Sequence, residues 1–118
     1  MSKKKNQENF LDYIPKHNSL FPYEIKENGN VEIKMLNRGL MKSITQVILK
    51  KPKYTYVELE QFGSFIWKQI DGERTVFEIG AFVKEEFGKD AEPLYERLTE
   101  YMQLLRRNRF ILYVNVTK

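Results

Sequence analysis

Apolar and charged residues alternate in two short stretches near the start of the chain. The alternation over residues 22–26 and 31–35 predicts two strands, because successive side chains of a strand point to opposite faces. Between them lies Asn28-Gly29, a pair that favours a hairpin since both positions tolerate a positive φ. The aromatic and β-branched run over 54–59 predicts a third strand.

Helical spacing replaces this alternation after residue 60. A first helix is predicted over 60–70, with an apolar stripe that ends at Asp71-Gly72. A second helix opens with the capping box Thr75–Glu78 and stops at Gly88. A third helix, capped by Asp90, carries core-facing residues as far as Leu105.

Three further segments complete the prediction. A short helix over 40–49, capped by Asn37, is favoured over an extended segment, and residues 110–116 are predicted to form a last strand. Residues 1–20 show no sustained periodicity and are predicted to be a flexible arm, which leaves 21–118 as the domain. The predicted fold class is α+β, a winged helix-turn-helix-like domain with a small antiparallel sheet packed on a three-helix bundle.

Composition excludes most catalytic chemistry. The 118 residues contain no cysteine, which removes thiolate catalysis and sulfur-ligated metals. The single histidine, His17, is predicted to be a solvated loop residue and not a metal ligand. There is no glycine-rich phosphate loop or nucleophile elbow. We therefore expect a chain that is not an enzyme and needs no metal or cofactor.

The charge and hydropathy patterns narrow the location. No apolar run approaches the roughly 18–20 residues that span a bilayer, and the polar, lysine-rich start contains no secretory segment. These features favour a cytoplasmic protein without membrane attachment. The net charge is +4, and its basic excess lies in the first half of the chain.

The segment from Val57 to Ile79 resembles the PqqD family. The similarity runs from a strand that ends in Leu59, through a helix containing Ile66-Trp67, to the pattern Asp71-Gly72, Thr75 and Glu78-Ile79. It continues to about residue 112 and so covers about half of the chain. One departure is a longer connection before the third strand, over residues 37–53.

The resemblance implies a role in peptide recognition. PqqD-like domains are RiPP recognition elements, which bind the leader segment of a ribosomally made precursor peptide and present it to a peptide-modifying enzyme. In the family's namesake that partner is a radical-SAM enzyme of pyrroloquinoline quinone synthesis. The resemblance further implies that the leader joins the sheet beside the third strand, against the third helix. The implied peptide-binding residues of this chain are Tyr54, Thr55, Tyr56, Val57, Glu58, Arg97, Leu98, Tyr101 and Leu105.

The residues support the same location independently. A strand at a sheet edge presents main-chain groups that an extended peptide can pair with. Alternation predicts that Val57 and Leu59 face the core, while Tyr54, Tyr56 and Glu58 share the other face. The tyrosines suit either a peptide groove or ordinary cross-strand packing, and both interpretations remain open.

Two residues on the helices have competing interpretations. Arg97 either bonds an acidic leader residue or lies beside Tyr101 and Glu100 in a solvated helix face, and the second is favoured. Trp67 is predicted to pack in the core or in an interface.

Two other functions are alternatives to peptide binding. In a winged-helix protein that binds DNA, the start of the third helix would meet the bases. Four carboxylates there would repel phosphates, those of Asp90, Glu92, Glu96 and Glu100. The charges therefore argue against nucleic acid. Winged-helix nucleic-acid binding therefore stays as a weaker alternative, beside a general protein-interaction module. Edge pairing or exchange of terminal strands would also permit a homodimer.

Overall fold

The computed structural model describes residues 9–36 and 54–116. The helix predicted over 40–49, with its cap at Asn37, and the long connection over 37–53 lie outside the described residues. The described residues form five strands and three α-helices: β1 (Pro15–His17), β2 (Tyr23–Ile25), β3 (Val31–Leu36), β4 (Tyr54–Glu58), α1 (Gln61–Gln69), α2 (Val76–Phe87), α3 (Leu94–Arg107) and β5 (Ile111–Tyr113). Antiparallel sheets and three helices confirm the predicted α+β class.

The chain divides into two compact units. Residues 19–64 form one, and residues 1–18 together with 65–118 form the other. We call them the sheet unit and the helical unit. The boundary falls within α1, so the start of that helix belongs to the sheet unit and the rest to the helical unit.

The sheet unit contains an antiparallel sheet in the order β2-β3-β4. The strands form where alternation predicted them, and Val31 and Ile33 of the central strand are fully buried. Tyr23 lies opposite Ile33, and Ile33 lies opposite Val57. Apolar residues therefore follow one face of all three strands, as a half-buried sheet requires.

The hairpin between β2 and β3 differs in detail from the prediction. The Lys26 amide donates to the Asn30 carbonyl at 2.8 Å, and the Gly29 amide donates to the Lys26 carbonyl at 2.8 Å. The loop therefore has three residues, and only Gly29 has a positive φ, of 90°. Asn28 contributes differently, because its side-chain oxygen accepts from the Asn30 amide at 2.9 Å.

A buried hydroxyl closes the β3–β4 ladder at the start of α1. The Ser64 hydroxyl donates to the Leu59 carbonyl at 2.7 Å and accepts from the Val31 amide at 2.8 Å. The Leu59 amide donates directly to the Val31 carbonyl at 2.8 Å. Val31 and Leu59 are thus a hydrogen-bonded pair in which the Ser64 hydroxyl is inserted into one of the two bonds.

In the helical unit, α2 begins as the sequence predicts. The Thr75 side chain accepts from the Glu78 amide at 3.1 Å, and the Glu78 carboxylate accepts from the Thr75 amide at 2.9 Å, which completes the capping box. The helix ends at Gly88, whose φ is 55°. Its buried residues are Val76, Ile79, Gly80 and Val83.

Helix α3 begins later than predicted. Asp90 lies in a 3₁₀ turn over Gly88–Ala91, and the residue at the N-cap is Pro93, which makes no side-chain cap. The prediction of an Asp90 cap is wrong because Ala91, Glu92 and Pro93 separate Asp90 from the first residue of the helix, Leu94. A Glu92 carboxylate oxygen accepts instead from the Leu94 amide, at 3.3 Å.

The two ends of the described chain pair with each other in the helical unit. Strand β1 is antiparallel to β5, with Pro15 opposite Tyr113 and His17 opposite Ile111. The opposite side of the N-terminal segment also bonds, because the Gly72 amide donates to the Pro15 carbonyl at 3.1 Å. Part of the segment predicted to be an arm without regular structure is therefore a strand, and β5 is shorter than the predicted 110–116.

Candidate functional site

Among the described residues, strand β4 is an edge of its sheet. The hydrogen-bond pattern that it forms with β3 determines which of its amides and carbonyls point outward. In an antiparallel pair, hydrogen-bonded and non-hydrogen-bonded positions alternate. Since Val31 and Leu59 form a hydrogen-bonded pair, alternation assigns Thr55 and Val57 to bonds with β3. The amides and carbonyls of Tyr54, Tyr56 and Glu58 then point to the outer side.

The central strand agrees with this assignment. The Lys34 amide donates to the Pro22 carbonyl at 2.9 Å, so Lys34 bonds toward β2 and not toward β4. Lys34 lies opposite Tyr56. Position 34/56 is therefore a non-hydrogen-bonded pair, as the alternation requires, and the Tyr56 main chain faces away from β3.

The hairpin loop holds the Glu58 side chain. Its carboxylate accepts from the Asn30 side-chain amide at 2.9 Å, from the Lys26 ammonium at 3.3 Å and from the Asn28 side-chain amide at 3.4 Å. These hydrogen bonds, that of Asn30 foremost, hold the pKa of Glu58 below its ordinary value. The Glu58 carboxylate is thereby directed toward the hairpin, on the inner side of β4.

The two tyrosines of β4 are both exposed but differ in their contacts. The Lys34 ammonium lies 4.3 Å from the ring centroid of Tyr54, a cation–π contact that comes from β3. Tyr54 is 48% exposed and Tyr56 is 58% exposed. Val57 is half-buried and Leu59 is buried, so the predicted division of the strand between two faces is confirmed.

The predicted residues on α3 fall into two groups. Leu98 and Leu105 are buried, which makes them core residues of the helical unit. Arg97 and Tyr101 are half-buried. An Arg97 guanidinium nitrogen donates to the Asp90 carbonyl at 2.5 Å, a partner that neither interpretation of Arg97 had anticipated.

Sequence reasoning missed Leu104 on the same helix. It is 41% exposed and lies seven residues after Arg97 and three after Tyr101, so these three residues share one side of α3. The spacing of Arg97, Tyr101 and Leu104 in the sequence already indicated that they share one side of the helix. It was overlooked because Leu105, the next residue, fits the core-facing repeat better.

The family comparison agrees with the part of the chain that carries this geometry. A family model described as coenzyme PQQ synthesis protein D (PqqD) matches residues 45–111, more than half of the 118 residues. The chain belongs to the PqqD family. Searches of the curated proteins and of the solved structures returned no match.

Within the PqqD match lie β4 and all three helices described above, whereas β1, β2 and β3 precede it. The strand with the outward main-chain groups is therefore part of the family pattern. The partners that hold Glu58 and Tyr54, which come from the hairpin and from β3, lie outside the match. Those contacts are features of this PqqD-family chain that the family model does not cover.

Residues 9–36 and 54–116 contain neither a metal-binding cluster nor a helix that could span a membrane. That part of the chain contains no group of three or more His, Asp or Glu side chains placed to hold a metal ion. None of its helices combines the length and apolar content needed to cross a lipid bilayer.

His17 of this PqqD-family chain is packed and not solvated, so the prediction of a solvated loop residue is wrong. Its ring stacks on the buried Trp67 with centroids 4.0 Å apart and an interplanar angle of 10°. The Nε2 atom lies 2.9 Å from the Trp67 carbonyl oxygen and therefore donates to it. The burial of Trp67 confirms that it is a core residue.

The His17 environment predicts a pH dependence of stability. Burial lowers the pKa of His17 below its ordinary value, and the hydrogen bond to Trp67 only partly opposes this. The unfolded chain consequently binds a proton more readily than the folded chain. We expect stability to be complete above the ordinary pKa of about 6.5 and to fall as pH decreases through the lower folded pKa.

Urea unfolding of the native chain and of His17→Gln, at pH 7.5 and at pH 5, tests this. The free energy of unfolding should fall more for the native chain than for the variant, because glutamine does not titrate. Equal losses in the two chains would show that His17 does not contribute to the pH dependence.

Proposed function

We propose that this PqqD-family chain captures the leader segment of a precursor peptide by strand addition to β4. It then presents that peptide to a peptide-modifying enzyme, of which a radical-SAM protein is one example, and performs no catalytic step itself. Family membership supports an accessory role in the synthesis of a peptide-derived product such as coenzyme PQQ. The finer assignment to leader capture is supported by the geometry of β4.

The observation that carries the proposal is the outward row of main-chain groups on β4. Three residues, Tyr54, Tyr56 and Glu58, direct an amide and a carbonyl to the outer side of an edge strand. An added strand pairs with alternate residues, so this row matches a guest segment of about five residues. Main-chain pairing supplies affinity with little dependence on sequence, and neighbouring side chains supply selectivity.

The α3 residues remain predicted peptide contacts. In the structure the Arg97 guanidinium donates to the Asp90 carbonyl, and the side chain is half-buried. Leu98 and Leu105 are buried, so substituting either would test core packing and not peptide contact. Arg97→Gln and Leu104→Ser are the informative substitutions on this helix.

Amide hydrogen exchange monitored by NMR tests strand addition directly. The probe is a synthetic peptide with the consensus of a random 12-residue library displayed on phage and selected on the intact chain. With that peptide bound, the amides of Tyr54, Tyr56 and Glu58 should exchange at least about tenfold more slowly, because each gains a hydrogen bond. The amides of Thr55 and Val57, already paired with β3, should change much less.

The outer edge of β2 provides the control. Pro22 and Lys34 form a hydrogen-bonded pair, so alternation directs the Ile25 amide to the outer side of β2. It should exchange at the same rate with and without peptide. Slowing at Ile25, without slowing at Tyr56, would contradict the assignment to β4.

A further inference from the structure

We infer that Tyr56 is the residue that selects the guest side chain at the centre of the bound segment, and that it selects an aromatic or β-branched residue. The inference rests on the proposed strand addition and adds the chemical class of one guest position. It starts from the three side chains that accompany the outward main-chain groups of β4. All three lie on the same, more exposed face of the strand.

Two of these three side chains are held from the inner side of β4. The Glu58 carboxylate accepts three hydrogen bonds from the hairpin loop over residues 26–30. The Tyr54 ring is covered by the Lys34 ammonium, 4.3 Å from its centroid. Both sets of partners come from β3 or from the loop before it, so they draw Glu58 and Tyr54 away from the outer edge.

Tyr56 lies between them and is not held in this way. In the part of the chain that the structure describes, no hydrogen bond, ion pair or ring contact engages its side chain. The residue is 58% exposed. Its ring is therefore the apolar surface on this face of β4 that a guest side chain can cover. A directly opposed pair in an antiparallel sheet has Cβ atoms about 4.5–5.5 Å apart, close enough for such contact.

The charges beside Tyr56 argue against selection of a charged guest residue. Lys34 is the neighbouring cation, and its ammonium is already engaged over the Tyr54 ring, 4.3 Å from the centroid. The Glu58 carboxylate is already paired with Lys26. The Tyr56 ring pairs well with aromatic and β-branched neighbours. It is then the main determinant of which guest side chain is selected.

Selection from a random 12-residue peptide library displayed on phage tests the inference. The native chain, Tyr56→Thr and the matched control Tyr54→Thr are each used as bait. Threonine preserves β-propensity, so strand pairing should persist. We expect the native chain and Tyr54→Thr to enrich aromatic or β-branched residues at one shared position, and Tyr56→Thr to lose that preference.

The native consensus peptide, made synthetically, should bind Tyr56→Thr about three- to tenfold more weakly than it binds the native chain. Its affinity for Tyr54→Thr should change less. An unchanged preference in Tyr56→Thr would overturn the role of Tyr56 while leaving strand addition in place. Enrichment of no peptide by the native chain would overturn the proposed function, and this inference with it.

Discussion

Tyr56→Pro should weaken binding of the library-selected peptide by about 10- to 100-fold while leaving the chain folded. Proline has no amide hydrogen, so β4 would offer the guest peptide one donor fewer. The guest carbonyl that accepts from the Tyr56 amide would then have no partner. The Tyr56 amide points to the outer side of β4, so its removal breaks no bond with β3. Proline is tolerated in edge strands at such positions.

Thr55→Pro is the matched control, one residue away on the same strand. Alternation assigns the Thr55 amide to Met35 of β3, so proline removes a bond of the sheet. We expect the free energy of unfolding to fall by about 3 kcal/mol or more in Thr55→Pro and by less than about 1.5 kcal/mol in Tyr56→Pro.

Urea unfolding and titration with the fluorescently labelled peptide measure the two effects. Native-like affinity in a folded Tyr56→Pro chain would move the peptide to another surface. Unfolding of Tyr56→Pro together with normal stability of Thr55→Pro would reverse the assignment of inner and outer positions on β4.

Ser64→Ala should lower the free energy of unfolding by about 2–4 kcal/mol. The Ser64 hydroxyl is the partner of both the Val31 amide and the Leu59 carbonyl, and the Ser64 residue is 2% exposed. A methyl group can satisfy neither, and each buried polar group without a partner costs about 1–3 kcal/mol. Water has little access to a residue so fully buried.

The control for this substitution is Ser19→Ala, an exposed serine of the same unit. It should change stability by no more than about 0.5 kcal/mol. A loss below about 0.5 kcal/mol in Ser64→Ala as well, measured by urea unfolding, would show that the hydroxyl bridge does not hold the end of the β3–β4 ladder.

Local sequence signals were sufficient for most of the elements. The Thr75–Glu78 capping box and the stop at Gly88 delimit α2 because their hydrogen bonds and backbone angles involve only neighbouring residues. The hairpin was predictable for the same reason, although its loop has three residues. At the start of α3 the local signal was misleading. Asp90 is a residue type that caps helices, but it lies in a 3₁₀ turn that precedes the helix.

Contacts between distant segments could not be predicted from local sequence signals. In the pairing of β1 with β5, Pro15 lies opposite Tyr113. The N-terminal segment has no periodicity from which a strand could be predicted. The stacking of His17 on Trp67 likewise joins residues fifty positions apart. A solvated histidine was the natural expectation because nothing near residue 17 in the sequence buries it.

By itself, the sequence determined the family, the strand that carries the tyrosines and the face on which Tyr54, Tyr56 and Glu58 lie. Side-chain alternation has a period of two along a single strand, so it needs no knowledge of partners. Only the tertiary structure decided which main-chain groups of that strand point outward. The direction of an amide depends on which neighbour the strand pairs with and in which register, and both are set by contacts with β3.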